Sequence, residues 1–236
     1  MKEIQVRFSE QIVRTQTVTS FRFKPQEKLD FISGQFLQVL FDPQNPGNKE
    51  LNKYLSFSCA PRNEYIEVTK RLSESAFSQR LRNLKAGDDV LIKAPLGTCV
   101  FKEQYQKIGF LIGGIGITPV ISIIEYVMDK RLDTHVCLLY SNRTDEDIAF
   151  KKELDAWNAR NKNIRISYTV TECQPKDKTC LFGAINTDLL KEKIRDYKER
   201  VFFIFGPPRM VEAMKNLCMQ LGCDPGLVKV ETFVGY

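Results

Sequence analysis

Bare backbone at glycine-rich turns is the first place where this chain could do chemistry. In GFLIGGIGITP, residues 109–119, Gly113, Gly114 and Gly116 join an apolar run to a helix-like one. Without side chains there, the phosphates of a nucleotide can come within hydrogen-bond distance, near the positive end of the following helix. Thr118 is expected to cap that helix and Pro119 to suit its first turn. The same turn would also serve tight packing. In FFIFGPPRM, Gly206, Pro207 and Pro208 hold back the start of the next helix and leave a gap of the kind where ligands bind in open α/β sheets. A rigid turn is the plainer reading.

Two polar features lie earlier in the chain. KYLSFSCAP alternates, with Lys53, Leu55 and Phe57 on one side and Tyr54, Ser56 and Ser58 on the other. That polar side could hold a flat ring or simply face water. Ser75, Ala76, Phe77 and Ser78 open a helical stretch with N–H groups and two hydroxyls, suited to a diphosphate, although many helices begin this way without a ligand. His135, the single histidine, opens the apolar run HVCLLY and reads as a strand-end residue, not a catalyst.

The elements that must position these residues fall into two halves. Up to about residue 100, short alternating runs (IQVRF, TSFRF, QFLQVLF, KYLSFS, YIEVT, DVLIKAP) predict six antiparallel strands in a small barrel or sandwich. A single helix is expected over Ser75–Leu84, with Ser75 as its N-cap. Beyond about residue 107, apolar strands alternate with amphipathic helices and end in LVKVETF, which predicts a parallel five-stranded α/β domain. The stretch FKEQYQK serves as linker, giving domains 1–102 and 103–236.

With 236 residues, each half can bury its own core. No apolar run approaches the roughly 20 residues of a membrane span, and MKEIQVRFSEQ lacks the features of a secretory signal, so a cytoplasmic location is expected. Seven scattered cysteines without CxxC spacing argue against a zinc site or an iron–sulfur cluster. The net charge of +6 suits an acidic protein partner, whereas nucleic acid is disfavoured because the basic residues are spread out.

Taken in order, the motifs resemble the ferredoxin reductase family, which has an amino-terminal flavin barrel and a carboxyl-terminal half that binds NAD(P)H. Its flavin strand, Arg-x-Tyr-Ser, corresponds to Lys53, Tyr54, Leu55 and Ser56, with Ser56 near the reactive flavin edge; Lys53 loses the fork of Arg and Leu55 loses a phenol. The resemblance continues through Gly34–Phe36, through Thr69, Lys70 and Arg71, and through Ser75, Ala76, Phe77 and Ser78 at the diphosphate helix. For the nucleotide it implies Gly113, Gly114, Gly116, Thr118 and Pro119, then Arg143, Thr171 and Glu172, then Gly206, Pro207, Pro208 and Met210, with Phe205 where relatives often have Cys. At the end of the chain, Glu231 would relay a proton and Phe233 would shield a flavin face, unless Tyr236 does the stacking.

The resemblance implies FAD, with FMN less favoured, and hydride transfer from NADH or NADPH to the flavin. Glu172 favours NADH and Arg143 favours NADPH; the balance tilts to NADH. Electrons would then pass to a separate ferredoxin, flavodoxin or oxygenase component. The alternatives are a free-flavin or quinone reductase, an electron-transfer subunit of a larger complex, and a binding module that has lost the flavin.

Overall fold

The computed structural model describes residues 2–233. Two compact units emerge, one of residues up to Phe101 together with Thr118–Tyr126, the other of Lys102–Ile117 and the residues from Val127 onward.

The first unit contains β1 (Lys2–Val13), β2 (Val18–Pro25), β3 (Phe36–Leu40), β4 (Asn52–Ser56), β5 (Ile66–Arg71), α1 (Ala76–Arg82) and β6 (Asp89–Leu96). All six strands fall on the alternating runs of the sequence; in β1 and β6 every second side chain is buried, whereas β2, β3 and β5 are covered along most of both faces. They form one antiparallel sheet in the order β4-β3-β6-β1-β2-β5, and a bridge between Phe57 and Val68 brings its two edges together. Val6, Phe21, Phe23, Phe57, Val68 and Phe77 fill the interior, each worth ~1.5–3 kcal/mol relative to exposure. Ser75 caps α1, its hydroxyl oxygen accepting from the Ser78 amide at 3.3 Å.

The expected alternation through KYLSFS stops at the end of β4. Ser56, Phe57 and Ser58 are all buried, because the chain leaves β3 there and crosses to β5, where the Ser58 amide donates to the Glu67 carbonyl at 2.8 Å. Ser58 therefore does not share an open polar face with Tyr54.

The second unit contains β7 (Lys107–Gly113), β8 (His135–Asn142), α3 (Lys151–Arg160), β9 (Ile164–Val170), β10 (Cys180–Phe182), α4 (Thr187–Lys193), β11 (Val201–Gly206), α5 (Pro208–Gln220) and β12 (Val228–Thr232). Helix α2 (Ile117–Asp129) follows β7, and its Thr118–Tyr126 stretch groups with the first unit, where the Ser33 hydroxyl donates to the Ser122 carbonyl at 3.1 Å and the Ala60 amide donates to Glu125 Oε2 at 2.5 Å. The sheet is parallel, in the order β10-β9-β8-β7-β11-β12. It has six strands, not the five expected. The extra strand, β10, is three residues long and lies at the edge beside β9, too short to carry a periodic pattern. One face of the sheet packs Leu111, Leu139, Phe202 and Ile204 under α4 and α5.

Candidate active site

In the first unit the strand expected to hold the flavin is the edge strand β4. Tyr54 is 62% exposed and its ring meets Phe36 edge-on at 5.7 Å. Ser56 is buried, and its hydroxyl makes no hydrogen bond among the described residues. Leu55, which replaces the family's phenol, packs against the barrel core instead of presenting a polar group. Behind Ser56 lies a buried polar chain: the Ser58 hydroxyl contacts Thr69 Oγ1 at 2.7 Å, and Thr69 Oγ1 contacts Ser20 Oγ at 2.7 Å. Glu67, 2% exposed, accepts from Arg14 at 3.0 Å and from Arg22 at 2.7 Å. This chain staples the segment after β4 to β5 and β2. It also occupies the Thr69 hydroxyl, and Thr69 itself lies buried in the ladder between β2 and β5.

Lys70 has a different environment. It is 8% exposed, yet its ammonium makes no ion pair or hydrogen bond among the described residues. Burial first, and the neighbouring charge of Lys53 second, push its ammonium below the usual lysine range. Arg71 reaches back to Thr17 Oγ1 at 2.9 Å. At the start of α1 the Ser78 amide is taken by Ser75, the Ser78 hydroxyl lies in the same serine cluster, and the Phe77 ring is fully buried. The helix start thus offers fewer free groups than the sequence suggests.

In the second unit the glycines divide by role. Gly114 has φ +51 and open space where a side chain would go, whereas a Cβ on Gly116 would lie 2.3 Å from the Phe205 carbonyl oxygen. Gly116 is therefore a packing residue, whereas Gly114, itself half-buried, has open space at its Cβ position. A methyl group at Gly113 would collide with the Met210 sulfur. Residues 114–116 form a 3-10 turn running straight into α2, so Thr118 lies buried inside the helix and does not cap it, with Pro119 in the same first turn. Gly206 closes β11 beside the Gly113 backbone, Pro207 occupies the N-cap of α5 and Pro208 its first position.

Sequence reasoning missed two residues beside this turn. Tyr140, fully buried, donates through its hydroxyl to the Gly114 carbonyl at 3.0 Å, fixing that glycine in place. Asn142 closes β8. The only signal for either is a polar atom at the end of an apolar strand. At the ends of β8 and β9, Arg143 and Glu172 pair at 3.4 Å, and the amides of Thr171 and Glu172 both donate to the Arg143 carbonyl.

Glu231 lies on β12 opposite Phe205 of β11. Burial pushes its carboxyl up to about 7, with no cation among the described residues to offset this. Phe233 follows the strand, half-buried; Tyr236, the alternative stacking residue, lies outside the described residues.

Residues 3–101 match the oxidoreductase FAD-binding domain family and residues 110–216 the oxidoreductase NAD-binding domain family. A plasma membrane-associated coenzyme Q6 reductase of Saccharomyces cerevisiae is 30% identical over 225 residues, covering 92% of this chain and 70% of that protein. The chain belongs to the ferredoxin reductase-like flavoproteins. Another relative, NADH-cytochrome b5 reductase 1 of Emericella nidulans, is 28% identical over 217 residues, covering 87% of this chain and 70% of its own. The fold is shared with a ferredoxin NADP+ reductase from Neisseria gonorrhoeae solved with FAD and NADP, with a TM-score of 0.82, 20% identity, and coverage of 98% and 99%. No helix among the described residues is long and apolar enough to cross a membrane.

As a member of this family the protein is an FAD-dependent NAD(P)H oxidoreductase. The first unit fits that cofactor. A buried ammonium without a carboxylate, repelled by a second lysine, is costly unless an anion neutralises it, and the diphosphate of FAD is such an anion. The chemistry supplied by bound FAD is acceptance of a hydride from NAD(P)H and its release as electrons. The protein's share is to bind and to orient.

Proposed function

We propose that this flavoprotein uses NADH and passes electrons to a separate one-electron acceptor with an acidic surface. The observation that carries the choice of nucleotide is the pairing of Arg143 with Glu172 at 3.4 Å. A 2′-phosphate would need the guanidinium that Glu172 already engages, and would meet the carboxylate itself, whereas a ribose diol can donate to that carboxylate. In this reading Lys53 and Lys70 hold the diphosphate of FAD and the start of α1 lies beside it. Ser56 hydrogen-bonds the reactive flavin edge, Glu231 holds or releases a proton, and Phe233 covers the ring until nicotinamide displaces it. The Gly113–Gly116 turn, the Gly206–Pro208 turn and Met210 receive the nucleotide.

For the acceptor, the relative named NADH-cytochrome b5 reductase supports a small haem protein alongside the ferredoxin, flavodoxin or oxygenase component expected from the sequence. The net charge of +6 suits an acidic surface on any of them. A quinone is the second reading, favoured by the coenzyme Q6 reductase relative. A cytoplasmic location belongs to the same proposal.

The test is a comparison of kcat/KM for NADH and NADPH, followed by acceptor assays at low and moderate ionic strength. NADH should be preferred, and the rate with an acidic carrier should fall as salt screens the encounter, while that with a neutral quinone should not. A strong NADPH preference, or a salt-independent rate with every protein acceptor, would refute the corresponding half of the proposal.

A further inference from the structure

The carboxyl end of β8 carries an unsolved polar account. Asn142 is 6% exposed, and neither its side-chain oxygen nor its side-chain nitrogen has a hydrogen-bond partner among the described residues. A primary amide has two donor hydrogens and an acceptor oxygen, and leaving them unpaired in a protein interior costs their full desolvation.

The position of the residue points to what satisfies it. In the parallel register Gly113 pairs with Ser141, so Asn142 stands one residue beyond the end of β7, beside Gly114. Alternation along β8 puts Asn142 on the same face as Tyr140, whose hydroxyl reaches the Gly114 carbonyl at 3.0 Å. Gly114 itself faces open space. An unpartnered amide and an uncovered glycine therefore lie side by side at the carboxyl edge of a parallel sheet, where ligands of such sheets bind. We propose that the side chain of Asn142 is a binding group for the ribose–diphosphate portion of the nicotinamide nucleotide, its nitrogen donating to a phosphate or hydroxyl oxygen and its oxygen accepting from a ribose hydroxyl. The inference rests on the reading that the Gly113–Gly116 turn receives the nucleotide.

Asn142→Leu tests it, because leucine has a similar volume and no polar atom to satisfy. Binding of NAD+ and of ADP-ribose to the FAD-loaded protein is measured by calorimetry, and thermal unfolding is followed with and without NAD+. The nucleotide-free protein is expected to melt no lower than wild type, since an orphaned amide has gone, while Kd for both ligands rises about tenfold or more and the stabilisation by NAD+ shrinks. Unchanged Kd values, or a lower melting temperature with unchanged binding, overturn the role of Asn142. Should the leucine variant fold poorly, Asn142→Ser, which keeps a polar group but shortens its reach, is expected to raise Kd as well, and wild-type affinity in that variant overturns the inference. Failure of the underlying reading looks different: wild-type protein would bind both ligands, and Gly114→Val, which would fill the open space at the turn, would leave that binding intact.

Discussion

The amide of Phe233 donates to the Gly206 carbonyl at 3.0 Å, and its ring lies within 11° of parallel to that of Phe205, with centroids 6.4 Å apart. The bond continues the pairing of β11 with β12 one step past Gly206 and Thr232. Phe205, which from sequence is only the absence of a thiol, is in the fold the platform against which Phe233 rests.

The two rings should therefore respond differently to truncation. Phe205 is fully buried, so Phe205→Ala should cost ~3–5 kcal/mol of stability. Phe233→Ala should change the melting temperature little. If displacing the Phe233 ring costs ~1.4 kcal/mol, the variant should bind NAD+ about tenfold more tightly. Calorimetry on the two variants checks both outcomes, and looser binding by Phe233→Ala would remove its shielding role.

Glu231 should make the protein sensitive to pH near neutrality. Its carboxyl ionises near 4.5 in an open chain but at about 7 in the fold, so the folded state keeps a proton that the unfolded state has lost. The stability of the neutral form is fully present below 4.5 and is lost as pH rises through 7. Denaturation midpoints should fall across that window in the wild type and fall less in Glu231→Gln. If the group also relays a proton, the limb near neutrality in the kcat/KM profile should disappear in the same variant.

Two glycines only two sequence positions apart should fail in different ways. Gly116→Ala drives a methyl group against the Phe205 backbone, so overpacking should cost ~1–3 kcal/mol and show as a lower melting temperature. Gly114→Ala meets no neighbour, and its left-handed φ of +51 is strained by only ~1–2 kcal/mol. Its larger effect should be on KM for NADH, because the new methyl group occupies the approach to the turn. An unchanged KM would count against a nucleotide there.

The pair formed by Arg143 and Glu172 is exposed, and such pairs are worth only ~0.2–1 kcal/mol, so removing the carboxylate should leave stability nearly unchanged. Glu172→Ser should free the guanidinium and move the ratio of kcat/KM values toward NADPH by about tenfold, an effect of ~1.4 kcal/mol. Adding Arg143→Ala should abolish the gain; a ratio that ignores both changes would separate this edge of the sheet from nucleotide choice.

By itself the sequence determined whatever depends on near neighbours along the chain. Alternating apolar residues marked all six strands of the barrel, Ser75 marked the start of α1, and continuous apolar runs marked five strands of the second sheet, because burial of one face imposes its period on consecutive side chains. Tertiary structure decided what depends on segments far apart meeting. Three residues of β10 became a strand only because β9 offered its edge. Thr118 lost its capping role because the turn at 114–116 carried the helix back to Ile117. Gly114 and Gly116 look alike in sequence, and only the Phe205 backbone, packed against one of them, separates a packing glycine from an open one. Lys70 without an anion and Asn142 without a partner are likewise facts of burial, which no local pattern encodes, since a polar group becomes an orphan only when distant strands close around it.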